Sequence, residues 1–180
     1  MLDAGFSRLL AGNLAYRRDG ILLSGGGNHL IAATGVLPRE AIGETVPPDS
    51  RLLLNPDEWG PPSWRAGRCV SDSGRATFAS HLASQSGDVV ALRDADVNKG
   101  VPLFCNTYAY PMPRRAPASQ LFHMGPWLYP ALVAYQIPAQ DWLAVATELV
   151  DRLAALSRSV STISIGPTTG TSTPSTRARR

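Results

Sequence analysis

An α+β fold is what this 180-residue sequence predicts: a small, mostly antiparallel sheet, helices near both ends, and long Pro-rich connections. Three observations carry that expectation. Apolar residues recur at helical spacing near both termini, short apolar runs bounded by Gly or polar residues fill the middle, and 16 Gly with 15 Pro interrupt the rest. The organisation expected is one α+β domain with extended arms over residues 1–160, followed by a flexible Ser/Thr/Pro/Arg tail over 161–180.

The first helix is expected over residues 3–17, where Leu2, Phe6, Leu9, Leu10 and Leu14 fall on one face and Asp3 suits the positive end of the dipole. Gly20–Ser24 (GILLS) and His29–Gly35 (HLIAATG) read as two strands joined by the turn Gly25–Gly26–Gly27–Asn28. Between Pro38 and Gly67 only Arg51–Asn55 resembles a strand. Gly74–Gln85 is a short helix with Phe78 and Leu82 four apart, and Asp88–Arg93 and Val101–Tyr110 read as strands across a polar turn. The clearest element is a helix over about Gln140–Ser159. Trp142, Val145, Leu149, Leu153 and Leu156 lie along one face of it, with Ala146 and Val150 beside them.

Composition narrows the class. Hydrophobic residues make 44% of the chain, enough for a real core and too many for wholesale disorder. Only 17% are charged, below the ~25% usual in globular domains, so much of the surface is small and neutral or lies against a partner. The net charge is +3, and Lys99 is the single lysine among 17 basic residues. That arginine bias has two readings, GC-rich codon usage and selection for bidentate contacts to phosphate or carboxylate, and composition does not separate them. The longest charge-free span, Ala116–Gln140, holds Pro117, Pro126, Pro130 and Pro138 and does not form a smooth membrane-spanning helix. Residues 1–20 lack the apolar core of a secretory signal, so a cytoplasmic or virion location is expected and no membrane partner.

The motifs with chemistry in them are weak. Ser24-Gly-Gly-Gly-Asn-His29 follows a strand, as phosphate loops do, but no Lys follows and the next residues read as strand. Asp94-Ala-Asp96-Val-Asn98-Lys-Gly100 alternates oxygen ligands, yet Lys99 stands where a calcium loop needs Gly and Cys105 where it needs Glu. Cys69 and Cys105 are too far apart for a CxxC and have no paired His, so neither a metal nor any cofactor is expected. Asp72, Ser73 and His81 are near in sequence without a triad motif, and Asp57 with Glu58, or Asp72 with Asp88, are possible acid–base pairs.

Aromatic residues cluster with arginines in Pro-rich segments. Phe122, Trp127, Tyr129 and Tyr135 are the expected interface anchors. Arg114 and Arg115, with Arg177, Arg179 and Arg180 of the tail, are the expected sequence-independent nucleic-acid contacts. Few charges, Pro-rich arms, clustered aromatics and a basic terminus together suggest a non-enzymatic structural protein that self-assembles as a homo-oligomer, such as a coat or other virion component. A small hydrolase or transferase without a recognisable motif is the alternative, and an accessory binding module of a larger complex is a third.

Overall fold

A computed structural model describes residues 4–11, 16–117 and 125–163. Helix α1 spans Ala4–Leu10 and strand β1 Ile21–Leu23; α2 spans Gly27–Thr34 and α3 Asp72–Asp94. Strand β2 is Leu103–Cys105, α4 is Tyr129–Ala134 and α5 is Trp142–Ile163. Tight 3-10 turns at Pro48–Ser50, Pro56–Glu58, Pro62–Cys69 and Ala139–Asp141 start at or just after a proline, whose fixed φ suits a first helical position.

The expected antiparallel sheet is absent among the described residues. Helix dominates, and the sheet is a single parallel pair with Ile21 opposite Leu103, Leu22 opposite Phe104 and Leu23 opposite Cys105. Parallel neighbours need a long crossover, and here it carries α2 and α3. Two runs read as strands are helical for an identifiable reason. Short apolar runs have no period of their own, so tertiary burial decides their state. His29–Gly35 falls in α2, closed by Thr34, whose hydroxyl donates to the Leu30 and Ile31 carbonyls, and by Gly35. Asp88–Arg93 is the last part of α3, a helix of 23 residues capped by Ser71, whose Oγ accepts from the Gly74 N–H. The helix passes straight through Gly87, whose penalty of about 1 kcal/mol is offset by burying Phe78 and Val89.

Other expectations are adjusted locally. The N-terminal helix is shorter than the 3–17 expected, ending at Leu10, with Leu2, Asp3 and Leu14 outside the described residues. Arg51–Asn55 makes one isolated bridge, Leu53 with Val70, and no strand. The C-terminal helix runs on to Ile163, so the first residues of the expected tail are its last turn; the remainder, including Arg177, Arg179 and Arg180, lies outside the described residues.

Two cores hold the described residues together. The larger joins Leu30, Phe78, Leu132, Tyr135, Val145, Leu149 and Leu153, bringing α2, α3, α4 and α5 together. The smaller joins Leu10, Ile21, Val89, Val101 and Leu103 beneath the sheet. On α5 the middle of the expected apolar face is buried, with Val145, Ala146, Leu149, Val150 and Leu153 each at most 5% exposed, while Trp142 and Leu156 at its ends are only partly buried. Leu149→Ala should therefore cost about 2–5 kcal/mol, through lost transfer energy and a cavity, read as a shift in the urea midpoint. A change below ~1 kcal/mol would mean that α5 packs elsewhere. No described helix is long and apolar enough to cross a membrane.

Candidate ligand cavity

Side chains alternate along the two strands, so the first and third positions share a face. Ile21 and Leu103 point into the small core, while Leu22 and Phe104 on the other face are 76% and 57% exposed. Leu23 and Cys105, paired at the carboxyl ends of the strands, line a cavity of about 260 Å3. It opens where the two cores meet, between the sheet end, the loop into α2, the middle of α3 and the second half of α5. Ligand sites in parallel α/β structures favour this place, beyond the carboxyl ends of the strands.

The walls are mostly apolar: Leu23, Ala79, Leu82, Ala83, Val89, Leu153 and Leu156. The polar groups are His29 from α2, Gln85, Ser86 and Asp88 from α3, Cys105 from β2 and Ser157 from α5. The His29 and His81 rings are tilted by 59° to each other, with centroids 6.1 Å apart. The Gln85 amide nitrogen lies 2.9 Å from His81 Nε2. Because an amide nitrogen only donates, His81 accepts there, and Gln85 keeps its Oε1 for another donor. His29 Nδ1 is buried and has no hydrogen-bond partner among the described residues.

The Gly-rich run enters this site with the order strand, loop, helix, contrary to the expected hairpin. Its glycines nevertheless serve packing. A Cβ on Gly27 would lie 2.5 Å from the Tyr108 ring, whose hydroxyl donates to the Gly25 carbonyl. Gly26 has φ +91° and sits against Leu153. Among the described residues no Arg or Lys lines the cavity to balance a phosphate.

The two cysteines part company. Cys69 is fully buried, and burial pushes its thiol up despite the nearby Arg68. Cys105 is only partly buried and free, and it lines the cavity.

The remaining expected sites are dispersed. Asp72 meets Arg75 and Arg152, Ser73 Oγ meets Ser71 Oγ, and His81 meets Gln85, so no triad forms. Glu58 is taken by Arg51. The Asp94 loop is a polar turn joining α3 to β2: Asp94 accepts from Arg93 and the Gly100 N–H, and Asn98 accepts from the Arg18 N–H and donates to the Leu10 carbonyl. Among the described residues no group of His, Cys, Asp or Glu is arranged to hold a metal ion. Arg114 and Arg115 are exposed outside any helix or strand, distant in sequence from the tail arginines. Of the expected interface anchors, Trp127 is 37% exposed, Tyr129 packs edge-on against Trp142, and Tyr135 is buried with its hydroxyl donating to the Val36 carbonyl. Phe122 lies outside the described residues.

Neither a protein-family model, nor a curated protein, nor a solved structure matches this chain. Function must therefore be argued from the cavity itself. Sequence reading missed it because its walls come from residues 23 to 157, and the one local signal, a Gly-rich run after a strand, resembled a hairpin turn.

Proposed function

We propose that this chain is a binding module for a small, largely apolar molecule held at the carboxyl ends of β1 and β2. The observation that carries this reading is a cavity with apolar walls and a few polar groups, set at the end of a parallel strand pair. Its volume of about 260 Å3 exceeds the ~150 Å3 that takes benzene and lies just under the ~300 Å3 at which drug-sized sites begin. The ligand is thus about the size of a substituted single ring.

Cys105 makes the test direct. Iodoacetamide should alkylate Cys105 and leave Cys69 unmodified in the folded chain, read by peptide mass. A neutral probe, 2-phenylethanol, should slow Cys105 alkylation, and Ala79→Phe, which fills the cavity, should abolish that protection. Equal alkylation with and without the probe would refute a ligand site here.

The self-assembling structural role remains a second reading, favoured by apolar side chains left on the surface. Trp127, Val133 and Leu143 are 37%, 48% and 45% exposed near the α4–α5 junction. If this chain assembles through them, Trp127→Ala should weaken association by about 2 kcal/mol, measured by light scattering across concentrations. A monodisperse monomer at high concentration would exclude it. In such an assembly, nucleic acid would be held by Arg114, Arg115 and the tail arginines, with affinity falling as salt rises.

A further inference from the structure

The polarity of the cavity narrows the ligand, on the basis of the binding role proposed above. Among the described residues, Asp88 is the one carboxylate that lines the cavity, and no Arg or Lys side chain lines it. Asp88 is exposed at the surface of α3, and no ion pair or hydrogen bond to its side chain occurs among the described residues. Asp72, Asp94, Asp141 and Glu58, by contrast, each have an arginine partner. Gln85, three residues before Asp88, is on the same side of the helix, and its amide nitrogen is already directed to His81. That leaves Gln85 Oε1, the Ser86 hydroxyl and the Asp88 carboxylate as acceptors along one turn beside an apolar hollow.

We infer that the cavity takes an organic ammonium, a primary amine on an apolar body, with the body against Leu82, Val89, Leu153 and Leu156 and the ammonium at Asp88. An ammonium supplies three donors and one positive charge, which this turn of α3 complements. A carboxylate or phosphate of the same shape meets Asp88 as a like charge, with no Arg or Lys among the described lining residues to offset it.

The test is calorimetric titration of the intact chain with three probes of one shape: 2-phenylethylamine, 2-phenylethanol and phenylacetate. The amine should bind about threefold to fivefold more tightly than the alcohol, the ratio expected of an exposed ion pair worth up to about 1 kcal/mol. Phenylacetate should bind more weakly than the alcohol. Asp88→Asn should bring the amine's affinity down to that of the alcohol, and 0.5 M salt should compress the advantage in the unaltered chain. Among the described residues Asp88 has no partner to lose, so this variant should keep the urea midpoint of the unaltered chain. Alcohol binding with no amine preference, or a preference that survives Asp88→Asn, overturns the inference and leaves the binding role standing. Binding by none of the three overturns both. Amine binding that persists in Ala79→Phe puts the amine outside the cavity and also overturns the inference.

Discussion

Replacing Gly74 with alanine should destabilise the chain by about 3 kcal/mol or more, the high end of overpacking effects. A Cβ at this position would lie 1.8 Å from the Arg51 carbonyl oxygen and 2.7 Å from the Pro48 carbonyl oxygen. Both are backbone atoms, so no side-chain rotation relieves the clash. Gly74 lies in the first turn of α3, where the helix is pressed onto the Pro48–Ser50 turn and where its own N–H is held by the Ser71 cap. Accommodating a methyl group means lifting α3 from that turn and exposing part of the larger core. Gly87 on the same helix is the control, because a Cβ there meets nothing within 4 Å. Gly87→Ala should raise stability by up to about 1 kcal/mol through helix propensity alone. Urea unfolding followed by tryptophan fluorescence separates the two. Equal effects at both positions would mean that α3 does not dock as described.

Arg51→Ala should be comparably damaging, on the order of 3 kcal/mol, because it removes a buried guanidinium from two carbonyls and a partly buried carboxylate. The Arg51 side chain is fully buried, donating to the Val46 and Leu53 carbonyls and, through Nη2, to both oxygens of Glu58. Its guanidinium also lies 5.7 Å from the Tyr135 ring centroid. The truncation strands two carbonyls and a carboxylate, whereas Arg51→Met keeps most of the volume and should cost less. Glu58 adds a pH dependence. Partial burial pushes its carboxyl up, but the hydrogen bond from Arg51, the Asn55 N–H and the guanidinium charge outweigh that and hold it below the usual 4.5. A carboxyl lowered in the folded state binds its proton more readily when unfolded. Its stabilisation is complete above about pH 4.5 and is lost as pH falls through the lower, folded value. Stability of the unaltered chain should therefore fall more steeply on acidification below pH 4.5 than that of Glu58→Gln. Parallel pH profiles of the two would show that Glu58 contributes nothing through ionisation.

How much of this was legible beforehand differs from element to element. The Trp142-to-Leu156 stripe announced α5 and its buried face, because a long amphipathic period has one structural solution. The Asp94 loop reads as a polar turn between two strands; the turn is there, but it joins α3 to β2. By contrast, Asp88–Arg93 and His29–Gly35 read as strands in the sequence and are helical in the structure. Six or seven apolar-rich residues fit a buried strand or a buried turn of helix equally well, and Gly87 looked like a boundary although the helix carries it at modest cost. With those two runs went the antiparallel sheet, since the strands that would have built it belong to α2 and α3.

The sequence by itself determined that this chain has an apolar core, a long C-terminal amphipathic helix, no metal-binding motif and two cysteines without a pairing motif. Those properties follow from composition and local period, which need no knowledge of distant neighbours. Only the tertiary structure decided that β1 and β2 run parallel, that Cys69 is sealed in the core while Cys105 lines a cavity, and that Arg51 is an internal tie instead of a surface charge. It also joined Leu23, His29, Asp88, Cys105 and Leu153 around one hollow. Such a site has no local signature, because each wall is an ordinary residue of its own helix or strand, and the hollow exists only where two separately packed cores fail to close on each other.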